Sequence, residues 1–172
     1  MLEQVNFAGV RTLVELGAGT GVMTLEILRR MSPGSRLFAV EINRNFVRHL
    51  RTCCPDSRLA VLQGDASDLL NQLAIHEAET IDGIISSLGL TGMTSEQRAR
   101  IVRQAEACLA PSGVMTQFQY MTSLSPLTDL HNLQLRRFQE GAFLRKYFPS
   151  VHAKPVFLNF PPAFVFTCYK SA

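Results

Sequence analysis

The sequence predicts an α/β protein, with a mostly parallel seven-stranded sheet, helices on both faces and an antiparallel pair of strands at the C-terminus. Three observations predict it. Short apolar runs alternate with longer stretches of helical period five times along the chain. Two strand-like runs then follow one another at the end, separated by Pro161-Pro162. A glycine-rich turn, Gly17-Ala18-Gly19-Thr20-Gly21, closes the first apolar run. Alternation requires parallel strands joined by right-handed crossovers. Ligands of such sheets bind at the carboxyl ends of the strands, where the strand order reverses.

Each element has its own signal. Arg11 to Leu16 reads as a buried strand. Thr20 to Met31 reads as a helix, with Val22, Met23, Leu25, Ile27 and Leu28 at helical spacing and Ser32-Pro33-Gly34 as its stop. Leu37 to Glu41 is the second strand, and Asn43 to Cys53 a helix ending before Pro55. Arg58 to Leu62 is the third strand, running into Gln63-Gly64-Asp65-Ala66 and a short helix at Asp68 to Leu73. Ile81 to Ser86 is the fourth. Thr94 to Leu109 is a helix opened by a capping box, in which the Thr94 hydroxyl and the Gln97 side chain satisfy each other's free amides. Pro111-Ser112-Gly113 precedes the fifth strand, Val114 to Tyr120. Thr128 to Tyr147 is mostly helical, and Val151 to Leu158 and Ala163 to Tyr169 are the closing strands.

Composition narrows the function class. The 172 residues suffice for one domain with a sizeable core, and 47% hydrophobic against 18% charged residues excludes a disordered chain. A net charge of +3 does not argue for nucleic acid. From Met121 onward, however, six bases (Arg136, Arg137, Arg145, Lys146, Lys154, Lys170) face two acids (Asp129, Glu140). Such an excess suits an anionic membrane surface, a phosphate-bearing substrate or a solvated helix face. Cys53, Cys54, Cys108 and Cys168 form no C-x-x-C and read as free thiols of a cytosolic protein. The four histidines lack metal-ligand spacing. No secretory leader is visible, and no run approaches the ~20 apolar residues of a membrane span.

The candidate ligand site gathers at the strand ends. Dinucleotide loops typically read G-x-G-x-x-G; this one reads G-x-G-x-G at Gly17, Gly19 and Gly21. Glycine lets the backbone approach a ligand with no Cβ in the way. The following helix aims its free amides at whatever rests on the loop. Glu15, two residues before the first glycine, is awkward for a pyrophosphate but favourable for a sulfonium or an amino group. Glu41 ends the second strand, where a carboxylate can accept both ribose hydroxyls. Asp65 can accept from an adenine amino group, with the Ala66 amide donating to a ring nitrogen. Each acid alone could be a cap or surface residue, but three at successive strand ends beside G-x-G-x-G point to one ligand.

Val14-Glu15-Leu16-Gly17-Ala18-Gly19-Thr20-Gly21, Val40-Glu41-Ile42 and Gly64-Asp65-Ala66 resemble the cofactor motifs of class I S-adenosylmethionine-dependent methyltransferases. The resemblance implies their Rossmann-like fold and S-adenosylmethionine as cofactor. The resemblance implicates Glu15, Gly17, Gly19 and Glu41 in cofactor binding, and with the strand-end positions the candidate site is Glu15, Gly17, Ala18, Gly19, Gly21, Glu41, Ile42, Asp65, Ala66 and Ser86. Gln117-Phe118-Gln119-Tyr120, Ser125-Pro126 and Asn159-Phe160-Pro161-Pro162-Ala163 look like the bacterial phospholipid N-methyltransferases. That second resemblance implies methylation of a phosphatidylethanolamine-like amine at a membrane surface, on the cytoplasmic side, without nucleic acid or a transmembrane segment. It makes Tyr120 the candidate catalytic residue, with His131 a weaker candidate for relaying a proton. The Arg136/Arg137 and Arg145/Lys146 pairs become candidates for lipid phosphates.

The lipid family carries a basic amphipathic N-terminal helix, whereas only ten residues precede the first strand here. The expectation is therefore a single cofactor-binding domain, 1–172, lacking that helical segment. Three rivals remain at this point. An RNA adenine N-methyltransferase would carry N-P-P-Y or D-P-P-Y after the fourth strand, where this chain reads Ser86-Ser87-Leu88-Gly89-Leu90-Thr91. The others are a non-catalytic S-adenosylmethionine binder and a nicotinamide reductase, the last disfavoured by the glycine spacing and Glu15.

Overall fold

The computed structural model describes residues 1–78, 80–120, 140–157 and 161–171. Among them seven strands form one sheet: β1 (Thr12–Leu16), β2 (Arg36–Glu41), β3 (Leu59–Gln63), β4 (Ile81–Ser86), β5 (Leu109–Tyr120), β6 (Ser150–Val156) and β7 (Ala163–Tyr169). Their order is β3-β2-β1-β4-β5-β7-β6. The first five pair in parallel, and β7 inserts antiparallel between β5 and β6. This is the Rossmann-like arrangement expected. The order reverses between β1 and β4, where Leu16 lies opposite Ser86. The glycine turn leaves the sheet at that point.

Among the described residues, the helices bounded at both ends are α1 (Val22–Arg30), α2 (Arg44–Cys53), α3 (Leu69–Ala74) and α4 (Ser95–Cys108). Single turns of 3-10 helix occur at Leu2–Gln4, Ala66–Asp68 and Leu90–Gly92. The central strands read as continuous apolar runs because both their faces are covered. On one face Val14, Leu16, Phe38, Val40 and Ile84 pack with Leu69 of α3 and Ile101 and Val102 of α4. On the other, Leu13, Leu37 and Ile85 pack with Ile27 and Leu28 of α1 and with Leu2 and Val5. Each such side chain contributes about 1.5–3 kcal/mol of burial.

Two boundaries differ for identifiable reasons. The first helix starts at Val22 rather than Thr20, because Gly21 caps it with φ at 84°, in the left-handed region. The fifth strand starts at Leu109 rather than Val114, absorbing Pro111-Ser112-Gly113. Pairing jumps from Ile81–Leu109 to Gly83–Val114, so the predicted turn survives as a bulge within the strand. Ser112 takes φ at 62° there. The capping box forms: the Gln97 amide donates to Thr94 Oγ1 at 3.2 Å, and the Thr94 amide to Gln97 Oε1 at 3.1 Å. Most of the predicted Thr128–Tyr147 helix, with Ser125, Pro126, His131, Arg136 and Arg137, lies outside the described residues; 140–144 are helical. Leu158, Asn159 and Phe160 lie outside them as well.

Candidate functional site

The turn after β1 is held to the end of β2. The Gly17 amide donates to the Val40 carbonyl at 2.9 Å, and the Gly21 amide to the Ala18 carbonyl at 3.0 Å. Gly17, Gly19 and Gly21 all have positive φ (79°, 54° and 84°), which L side chains adopt only at a cost. The three glycines otherwise differ. A Cβ on Gly17 would lie 2.9 Å from Leu88 Cδ2, and one on Gly21 2.7 Å from Leu50 Cδ2. A Cβ on Gly19 would meet nothing within 4 Å. The first and last glycines are thus required by packing, and the middle one borders open space.

Glu41 ties the turn to the start of α2. Its Oε2 accepts from the Gly19 amide and its Oε1 from the Asn43 amide, both at 2.8 Å. Each carboxylate oxygen keeps a further lone pair. Beside it lies a cavity of about 260 Å³, lined by Gly17, Glu41, Ile42, Asp65 and Ala66 on one side and by Leu88, Met93, Gln97 and Ile101 on the other. Asp65 caps the short turn after β3 by accepting from the Ser67 amide at 2.7 Å. Ile42 is exposed into solvent although it is apolar.

Glu15 is placed differently. It is fully buried and does not line this cavity. Its Oε2 accepts from the Thr24 hydroxyl of α1 at 2.6 Å, and its Oε1 has no partner. Burial pushes its carboxyl up from 4.5 to about 7, opposed by the Thr24 hydrogen bond and reinforced by the nearby Glu41 charge. Ser86, also fully buried, has no hydrogen-bond partner for its Oγ. Ala18 packs with Leu50 and Cys54 beneath the turn. Of the sequence-predicted residues, Gly17, Glu41, Ile42, Asp65 and Ala66 therefore share one cavity wall, with Gly19 bonded to it through Glu41.

Tyr120 belongs to a second, larger hollow. A groove of about 970 Å³ on the other face of the sheet is lined by Tyr120 and Phe118 of β5, Val22 of α1 and Ser87 after β4. The Tyr120 and Phe118 rings meet edge to face at 4.8 Å. Consecutive residues thus divide the two hollows, Ser87 lining the groove and Leu88 the cavity. Leu88, Met93, Gln97 and Ile101 were missed from sequence. One signal was available, since the capping box at Thr94 fixes the first turn of α4 and so places Gln97 and Ile101 four apart on one face.

Residues 13–113 of the chain match the family described as Methyltransferase domain. They span the strands and turns that build the cavity. The chain belongs to this methyltransferase family. It is a class I methyltransferase that uses S-adenosylmethionine. Ornithine lipid N-methyltransferase from Singulisphaera acidiphila is 29% identical over 168 residues, covering 97% of this chain and 80% of that protein. The carbon methyltransferase of CurJ superimposes with a TM-score of 0.75 at 20% identity, over 99% of this chain and 51% of that one. Aeropyrum pernix fibrillarin, solved with natively bound S-adenosyl-L-methionine, superimposes with a TM-score of 0.67 at 22% identity, over 92% of this chain and 66% of its own. The chain spans about half the length of the CurJ protein, and these structural likenesses concern the fold. The methyltransferase's cavity fits the adenosine part of the cofactor. It offers two carboxylates, apolar walls at Ile42, Leu88 and Ile101, and a turn left open at Gly19. No helix among the described residues is long and apolar enough to cross a membrane.

Proposed function

We propose that this methyltransferase methylates the amine of a phosphatidylethanolamine-like lipid head group, working at the cytoplasmic surface of a membrane. The observation that carries the reading is the position of Tyr120. It is half-exposed at the carboxyl end of β5, on the wall of a groove that also reaches Ser87 and Val22. Val22 directly follows the glycine turn, so the groove opens beside the place where a methyl acceptor must arrive. The similarity to a lipid N-methyltransferase supports the same substrate class.

Bound S-adenosylmethionine supplies an electrophilic methyl group; the chain's residues bind, orient and exclude water. Glu41 accepts from the ribose hydroxyls through its remaining lone pairs. Asp65 and the Ala66 amide would hold the adenine edge, with Ile42 and Leu88 supplying apolar surface. Gly21 has no side chain to cap α1, so that helix's first amides serve the methionine carboxylate. Glu15 supports the turn from below through Thr24. Tyr120 holds the neutral amine with its hydroxyl and an ammonium with its ring face. Orientation of this kind can remove about 7–11 kcal/mol of barrier.

A methylation assay on phosphatidylethanolamine and ornithine lipid in mixed micelles, run beside structured RNA, tests the proposal. Methylated lipid product, reduced at least tenfold by Tyr120→Ala, is expected. Methylation of RNA alone rejects the lipid acceptor, and binding of S-adenosylhomocysteine without methylation of either rejects a catalytic role.

A further inference from the structure

We infer that the groove beyond Tyr120 seats one acyl chain of the lipid, so that the protein recognises its substrate by the tail as well as by the amine. The inference rests on the lipid-amine reading above and names the part of the molecule that reading leaves unplaced. Antiparallel register aligns two cross-strand rows on this face of the sheet, Tyr120–Ala163–Val156 and Phe118–Val165–Lys154. The rows span β5, β7 and β6, two strand spacings or about 10 Å. Val22 and Met23 of α1 and Leu2 of the N-terminal turn add further apolar walls. Val22 is 77% exposed and Phe157, at the outer rim, is 73% exposed.

Exposed Val22 and Phe157 beside an open hollow give it the partly apolar, concave lining of a small-molecule site. The occupant is fixed by where the groove starts. It is continuous with Tyr120 and Ser87, so whatever fills it is joined to the methyl acceptor. Between those residues and the rim, Leu2, Phe118, Val156 and Val165 present apolar surface that suits hydrocarbon, with Glu3, Arg30 and Lys154 also lining the hollow. Its volume of about 970 Å³ lies at the upper end of small-molecule sites. Glu3 of the N-terminal turn also pairs with Lys154 of β6 at 3.3 Å. Arg30 and Lys154 also line the groove and place cations near an anionic head group.

The test uses the full chain with S-adenosylhomocysteine present and two probes: lysophosphatidylethanolamine with one dodecanoyl chain, below its micelle concentration, and glycerophosphoethanolamine, which has none. Calorimetry should show the single-chain lipid binding at least about tenfold more tightly. Val156→Asp and Phe157→Asp, both on the β6 side of the groove and away from the glycine turn, should each weaken it about tenfold while S-adenosylhomocysteine affinity stays unchanged. Ile75→Asp, exposed and far from the groove, should have no effect. Equal binding of the two probes, or variants that bind the lipid like the parent, overturn the inference. A dimer that the two groove variants dissociate also overturns it, by giving the groove to a second copy of the chain. If the dodecanoyl probe binds with the expected sensitivity yet no lipid is methylated, the groove stands and the acceptor reading falls. If glycerophosphoethanolamine is methylated as well as the lipid, the reverse holds.

Discussion

The Glu41 carboxylate is bonded at 2.8 Å to the Gly19 amide in the glycine turn and, through its other oxygen, to the Asn43 amide that opens α2. One side chain therefore fixes the turn, the end of β2 and the start of α2 together. Hydrogen bonds to a charged acceptor are worth about 1.5–3 kcal/mol each. Glu41→Ala is expected to lower S-adenosylhomocysteine affinity at least tenfold and to destabilise the fold by about 2–4 kcal/mol. Glu41→Gln keeps one acceptor and should fall between. Calorimetry and urea unfolding of the three proteins read the two effects separately.

Glu15 makes stability depend on pH. Its carboxyl is raised from 4.5 to about 7 chiefly by burial, so the folded protein holds a proton that the unfolded chain has released. The rise amounts to about 3 kcal/mol against the ionised form. The sign follows from proton counts. Between about 4.5 and 7 the folded state binds more protons, so this group's contribution to stability falls as pH rises. The penalty is absent below that window and complete above it. Glu15→Gln keeps an acceptor for the Thr24 hydroxyl and should flatten the dependence. Urea midpoints at pH 5 and pH 8 should differ less in the variant than in the parent; equal differences would refute the assignment.

The glycines of the turn separate packing from binding. At Gly21 an added Cβ combines φ at 84° with a 2.7 Å approach to Leu50, so Gly21→Ala should cost about 3 kcal/mol or more. At Gly19 it meets no atom, leaving only the left-handed backbone, about 1 kcal/mol. Gly19→Ala should therefore stay folded while losing cofactor affinity, because the methyl group enters the space reserved for ligand. Thermal melts with and without S-adenosylhomocysteine check this. The ligand-induced rise in Tm should shrink in Gly19→Ala although its own Tm stays near that of the parent.

How far the sequence could be read depended on the range of the forces involved. Alternating strands and helices, the turn at Gly17 to Gly21 and the Thr94 capping box are local patterns, and each appears where it was expected. The parallel pairing of the first five strands and the antiparallel closing pair were legible in the same way, whereas the order β3-β2-β1-β4-β5-β7-β6, with β7 between β5 and β6, is set by long-range strand pairing. The starting point of β5 was not legible, because Leu109 pairs with Ile81 across the sheet and overrides the turn chemistry of Pro111-Ser112-Gly113. The far wall of the cavity was hidden for a similar reason. Leu88 reaches it only by being pressed onto Gly17, a contact between residues 71 apart in the chain. Glu15 was read as facing ligand, since its spacing from Gly17 is visible, whereas its burial against Thr24 is a matter of packing.

Gln117 provides the sharpest test of how the acceptor side is held together. Its Nε2 donates to the carbonyls of Leu88 at 2.8 Å and Phe118 at 2.6 Å. Both partners can only accept, so the amide orientation is fixed and Oε1 is left without a partner. The side chain is fully buried and ties the segment after β4 to β5 through the carbonyl of Leu88, which lines the cavity beside Glu41. Gln117→Leu removes both bonds and leaves the Leu88 carbonyl with its bond from the Leu90 amide, which should cost about 1–3 kcal/mol and loosen Leu88. Gln117→Glu has nearly the same shape but no donor, and it sets a carboxylate against two carbonyl oxygens. It should therefore be less stable than the leucine variant above pH 7 and recover as the pH is lowered and the carboxyl takes up a proton. Urea unfolding of both variants at pH 5 and pH 8 decides the matter. If the glutamate variant matches the parent at pH 8, Gln117 acts by filling space, and the Leu88 segment is held by other contacts, such as the bond from the Ser87 amide to the Leu16 carbonyl.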